Sequence, residues 1–403
     1  MLQGHATGYA ESMEQKPFHL KPLDYATALS FAVYAASVTV TPISLVALSR
    51  ELGISLVGGG TIEAVRASLL IPALLISGWA AAHFGKALAL GVSTGLLGAG
   101  LIAYALAPGY AAILIAVGMV GFGGGVIEAL LNPLIQDLHP GDSGRYLNFL
   151  NAFFSVGVFI TVISGGEWIT QGGSWRYIMA TLGALCLVAA IVFVSLKHEA
   201  PREAERGVRI VITRKLSVLR NPRFWLFFAM MFLGGGAEGG LTFWSASYIQ
   251  LEFGSVARVG GIGTAAFAAG MIVGRIASGH FVRQHHLQRL IGGSAVGGFI
   301  VGMILPRFSG IPLLLAGLFT AGLSIACFWP SIQSYAADRI EADNTALFIL
   351  LSCGGIPGFG FAAWLMGVIG ETAGLNASLY VIPAFLALLA ILLFIERMWK
   401  PVT

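Results

Sequence analysis

The sequence predicts an all-α integral membrane protein: twelve transmembrane helices in two pseudo-symmetric six-helix bundles. Three observations carry that expectation. Of its 403 residues 57% are hydrophobic and only 10% are charged, with a mean hydropathy of +0.83. A soluble domain carries about 25% charged residues, so this chain lacks the polar surface that water demands. Its charges also punctuate apolar runs close to the ~20 residues that cross a bilayer. Finally, the two halves of the sequence coincide at one fixed offset. This composition sets aside secreted disulfide scaffolds, nucleic-acid-binding domains and nearly every soluble enzyme class. The net charge of +4 suits the basic cytoplasmic loops of membrane proteins better than a nucleic-acid partner.

The charges mark the spans in order. None lies between Asp24 and Arg50, which gives span one. The polar residues 1–23 ahead of it do not read as a cleaved leader. Arg66 to Lys86 encloses most of span two. The 41 uncharged residues Ala87 to Ile127 exceed one helix and break at Pro108-Gly109, giving spans three and four. Span five lies between Arg145 and Glu167, and span six between Arg176 and Lys197. Spans seven to twelve follow at 224–251, 259–281, 290–305, 311–335, 345–369 and 376–395.

This layout assigns residues 1–196 to an N-terminal bundle, 197–223 to a linker and 224–403 to a C-terminal bundle. With both termini in the cytoplasm, that side holds 17 Lys and Arg and the other side only four, Arg50, Arg176, Arg258 and Arg307. The positive-inside rule therefore places both termini in the cytoplasm of a multi-pass plasma (inner) membrane protein. The linker carries eight basic and three acidic residues. Its 209–220 portion suits an interfacial helix on anionic lipid as well as a solvated tether. Cys186, Cys327 and Cys353 sit in apolar runs and read as small core residues.

At an offset of 197 residues, His83-Phe84-Gly85-Lys86 matches His280-Phe281-Val282-Arg283. Asn132-Pro133-Leu134-Ile135-Gln136 matches Trp329-Pro330-Ser331-Ile332-Gln333, and Gly157 matches Gly354. One shared offset across three places points to an internal duplication.

Charges in mid-membrane are costly, about 2.5–3.5 kcal/mol on insertion scales, and so are functional candidates. Glu128 lies in the middle of span four and Glu238 in the middle of span seven, each after a run of three glycines. Asn132 and Gln136 share the face of Glu128. Asn148 and Asn151 add amides from span five, while Tyr34, Ser37 and Thr41 line one face of span one. Trp244 and Tyr248 form an aromatic pair at i, i+4 in span seven, and Trp329 stands in span ten. Amides and hydroxyls pair the hydroxyl groups of a neutral polyol, and aromatic rings stack on its C–H face. Competing structural roles exist. Asn132 is placed to satisfy carbonyls freed by Pro133, Trp329 to pack beside Pro330, and Glu63 with Arg66 to form a local i, i+3 ion pair. Arg275, in the half of span eight nearer the cytoplasm, suits a gate, bonding helix ends or neighbouring carboxylates.

Several formal motifs lack their context. Gly91-Val92-Ser93-Thr94-Gly95 has no strand before it, and the glycine run at 121–125 has no following Lys.

Two six-span halves in parallel repeat resemble the major facilitator transporters, whose substrate lies between rocking halves. That resemblance implies that spans one, four, seven and ten line the cavity. The run from Gly121 through Glu128 to Asn132-Pro133 is similar to span four of the fucose:proton symporter family. The similarity continues at Leu147-Asn148, Ser155-Val156-Gly157, Trp244 with Tyr248, Gly274-Arg275 and Trp329-Pro330-Ser331. It implies a role for Glu128 in proton-coupled sugar binding. Two departures stand out. Pro42 occupies the place of the second acid that fucose carriers have in span one, and Glu238 stands where some relatives have Gln. Span five also has Asn151 and Phe154 where fucose carriers have Gln and Asn.

The expectation is thus a transporter, not an enzyme: a proton-coupled symporter of a neutral sugar, working by alternating access. Glu128 and Glu238 carry the coupling. Tyr34, Thr41, Asn132, Asn148, Asn151, Trp244, Tyr248 and Trp329 bind substrate, and Arg275 serves as a gate or structural charge. No cofactor or metal is expected beyond the coupling ion, a proton or alternatively sodium. The partners are a small solute and membrane lipid, and the chain is expected as a monomer. A proton-coupled multidrug antiporter is the rival reading, and a non-transporting sensor ranks behind it.

Overall fold

The computed structural model describes residues 19–140, 143–197, 218–342 and 344–399. Among the described residues all regular structure is helical, and twelve segments are long and apolar enough to cross a membrane. Spans one to six are Pro22–Leu52, Leu56–Phe84, Lys86–Leu106, Tyr110–Leu138, Ala152–Thr170 and Trp175–Ser195. Spans seven to twelve are Pro222–Glu252, Ala257–Phe281, Gln284–Arg307, Ile311–Ala337, Leu347–Ala373 and Leu375–Met398. Most of the linker, including the greater part of the proposed interfacial helix, lies outside the described residues.

Local chemistry sets the span ends. Pro22 starts span one, where its missing N–H costs nothing. Asp24 accepts the Lys21 amide at 2.7 Å, and Gly53, at φ 65°, ends the helix in the left-handed region. Ser55 caps span two by accepting the Gly58 amide at 3.1 Å. Span two begins ten residues before Arg66, because Glu63 and Arg66 satisfy each other inside it. Span ten is not one continuous helix: it breaks at Ala326-Cys327, just before Trp329-Pro330. Pro330 has no amide to donate and clashes with the carbonyl four residues earlier, at Ala326.

Polar pairs staple the first half at both ends and the second half at the end that holds the termini. At the end of the bundle that holds the termini, Lys86 pairs with Asp137 at 2.6 Å and His139 meets Asp24 at 2.9 Å. In the second half, Glu396 accepts from Tyr335 at 2.5 Å and lies 3.8 Å from both Arg223 and Arg339. At the opposite end, Arg176 pairs with Glu51 at 2.8 Å and donates to the carbonyls of Ala105 and Ala107. Side chains such as Ile115, Ile160, Ile276 and Phe394 face outward, as the lipid-facing surface of a bundle requires.

The halves are bonded to each other at the end opposite the termini. Spans two and eleven approach until a Cβ on Gly60 would lie 2.4 Å from the Ala363 carbonyl oxygen. Spans five and eight do the same at Gly261, beside the Val162 carbonyl. Arg258 donates to Glu167, and its amide donates to Thr170 Oγ1 at 2.8 Å. The Val57 amide, in the first turn of span two, donates to Glu371 of span eleven at 3.1 Å. The cleft between the halves is therefore closed at that end.

Candidate functional site

Glu128 is exposed although it lies mid-span. The groups facing it are Tyr34 from span one, Arg66 from span two and Arg275 from span eight, so its exposure is to the space between the halves. Tyr34 is buried, its ring edge-on to Phe154 with centroids 6.0 Å apart. The absence of a Cβ at Gly124 lets it stand there, since one would come within 2.8 Å of the Tyr34 ring. Tyr34 lies within electrostatic reach of both Glu128 and Arg66. Arg66 is buried and donates to Glu63 through Nε at 2.9 Å and NH2 at 2.5 Å. The local ion pair expected from the i, i+3 spacing is thus present.

The other half contributes a second pair. Arg275 NH2 donates to Glu238 Oε1 at 3.2 Å, with the guanidinium half-exposed. A cavity between the halves is lined by Glu238 and Arg275 together with Thr39, Phe154, Phe267 and Phe359. Arg275 therefore stands in the cavity wall and bonds a mid-span carboxylate of span seven. A neighbouring carboxylate is one of the two kinds of partner expected of it.

Other expected substrate ligands are placed differently. Trp244 is fully buried and donates its indole N–H to the Ala363 carbonyl at 2.9 Å. Tyr248 donates to Asn376 Oδ1 at 3.0 Å, toward the closed end. In this conformation both tie span seven to its own half, because each polar tip is satisfied inside the bundle. Thr41 is buried near Tyr104, inside the first half. Asn132 and Trp329 are partly exposed, and the Trp329 ring fills the space a Cβ on Gly355 would take, 2.5 Å away. The side chains of Asn148 and Asn151 lie outside the described ones.

Sequence reasoning missed the apolar walls. Phe267, Met271 and Arg275 share one stripe of span eight at i, i+4 spacing, and Phe359 comes from span eleven. The Arg275 stripe held a usable signal, because a charge marks the face that avoids lipid. Phe359 offered none.

A family model described as Major Facilitator Superfamily matches residues 27–359. Membrane protein MosC of Rhizobium meliloti is 28% identical over 282 residues, 69% of this chain and 66% of that protein; the chain thus spans just under two thirds of that relative's length. Among solved structures, a bacterial homologue of the human lysosomal transporter Spinster, inward-facing and unoccupied, superposes with a TM-score of 0.79. It is 14% identical, over 94% of this chain and 98% of that one. A D-xylose-proton symporter gives 0.72 at 13% identity, over 95% and 98%. These likenesses show the fold. With the matched model, the twelve spans and the cleft between two halves, the chain belongs to the Major Facilitator Superfamily.

Proposed function

We propose that this transporter carries a neutral, hydroxyl-bearing solute of sugar size together with a proton, with Glu128 as the proton carrier. The observation that carries the reading is a mid-span carboxyl exposed to a cleft that is closed at one end. Such a group exchanges protons with one side at a time. The walls suit a sugar-like solute: Phe154, Phe267 and Phe359 offer ring faces, while Thr39, Thr242 and the Glu238–Arg275 pair offer polar groups. The span-four resemblance to fucose:proton symporters supports the same class, and the D-xylose-proton symporter shares the fold.

With the termini cytoplasmic, as the loop charges favour, this conformation faces inward. Protonation of Glu128 from outside accompanies solute binding, the halves rock, and proton and solute leave inward. One charge moving across 100 mV supplies about 2.3 kcal/mol, roughly fifty-fold accumulation. The mostly apolar lining favours a second reading, proton-driven export of an amphipathic solute. The test is uptake of a labelled sugar panel into proteoliposomes with and without an inward proton gradient, with sodium as a control. Gradient-stimulated uptake of one sugar supports symport. Uptake driven only by sodium replaces the ion. No sugar uptake, combined with drug-stimulated collapse of a pH gradient, overturns the sugar reading in favour of export.

A further inference from the structure

Electrostatic reach and close packing together join the cleft acid Glu128 to the closed interface between the halves. Tyr34 faces both Glu128 and Arg66. Arg66, bonded to Glu63, holds its guanidinium 6.0 Å from the centroid of the Phe359 ring in span eleven. One residue on, Gly360 sits directly on span two: a Cβ there would be 2.8 Å from Ala67 Cβ, 3.0 Å from Ala64 Cα and 3.4 Å from the Glu63 carbonyl oxygen. The Glu63–Arg66 pair is thus part of the surface on which span eleven closes, yet its guanidinium also lies within electrostatic reach of Glu128.

The charges make this arrangement responsive. Ionised Glu63 and Glu128 both face the buried guanidinium of Arg66, while Arg275, which also faces Glu128, is bonded to Glu238. Neutral Glu128 leaves Arg66 wholly to Glu63, the bidentate geometry seen here. Ionised Glu128 draws Arg66, with Tyr34, toward span four and away from Phe359. A like pair of carboxylates around one cation has two arrangements, and a proton selects between them.

We propose that Arg66 is a positioning residue that links the protonation state of Glu128 to closure of spans two and eleven at the end opposite the termini. A proton on Glu128 favours that end closed, and its loss favours that end open. The proposal rests on Glu128 being the proton carrier but not on the solute being a sugar.

The test is a spin-label distance across the closing end in nanodiscs, without solute. Labels sit at Arg50→Cys and Ala373→Cys, both exposed, in a Cys353→Ala background. In the parent, the short-distance population falls and a longer one grows as pH rises. Glu128→Gln holds the short distance at every pH. Glu63→Gln/Arg66→Gln, which leaves no lone buried charge, keeps both populations but loses the pH response, and Glu63→Asp/Arg66→Lys partly restores it. A double variant that responds to pH like the parent overturns the relay while leaving Glu128 as the carrier. A parent without pH response, or a Glu128→Gln variant that still responds, overturns the relay outright. Sugar uptake read in parallel reports on the transport reading separately.

Discussion

Glu128 and Trp244 show how differently two mid-span polar residues are used. Glu128 faces the cleft with its side chain exposed, so replacing its carboxyl is expected to alter coupling and leave the scaffold intact. Glu128→Gln should retain solute exchange at equal concentrations on both sides while losing proton-driven accumulation. Counterflow and gradient-driven uptake, measured on the same proteoliposomes, check this, and equal loss of both would argue against a coupling role. Trp244 is buried, with its indole N–H bonded to the Ala363 carbonyl. Trp244→Phe keeps the packing and removes one hydrogen bond, so it should cost about 1 kcal/mol of stability and leave solute affinity unchanged. Thermal unfolding in detergent and binding titrations separate the two effects.

At the scale of elements, the closing surfaces are pairs of helices that meet backbone to backbone. Gly60 on span two leaves no room for a side chain against Ala363. Gly60→Val should therefore disfavour the closed end by about 1–3 kcal/mol, the usual cost of overpacking, which is at least about a fivefold shift in population. Because alternating access offers a conformation in which these spans separate, the fold should survive. Cysteine cross-linking between spans two and eleven, reduced with unchanged folding yield, would show it; normal cross-linking would contradict the close-packed geometry. The break in span ten before Pro330 has a different character. It follows from the missing amide and ring of proline and divides the helix near Trp329.

Across the whole molecule, the halves are held by a small polar latch and by packing. Arg258 and Glu167 are about half and one third exposed, so water and salt screen their pair and it contributes little. Arg258→Ala should raise the open population at that end by less than about fivefold, and high salt should erase the difference between variant and parent. A much larger, salt-independent effect would mean that the latch, and not the glycine-lined contacts, holds the end shut.

The twelve spans and their duplication were legible in the residues because a bilayer imposes a length and an apolar composition on each helix, independent of neighbours. The mid-span acids stood out for the same reason: the cost of a charge in hydrocarbon depends on depth, which sequence position reveals. Pairing by local spacing was legible too, as with Glu63 and Arg66, since three residues along a helix fix which side chains meet. What the tertiary structure decided was direction around each helix and distance between halves. Apolar cavity walls such as Phe359 look like lipid-facing residues in a sequence, because hydrocarbon and a protein interior select the same side chains. The i, i+4 pattern offers Trp244 and Tyr248 as substrate ligands, but only packing shows that their polar tips are satisfied within their own half. The placement of Arg275 against Glu238, and of Arg66 between a cavity acid and span eleven, arises from contacts between distant segments, which no local pattern encodes.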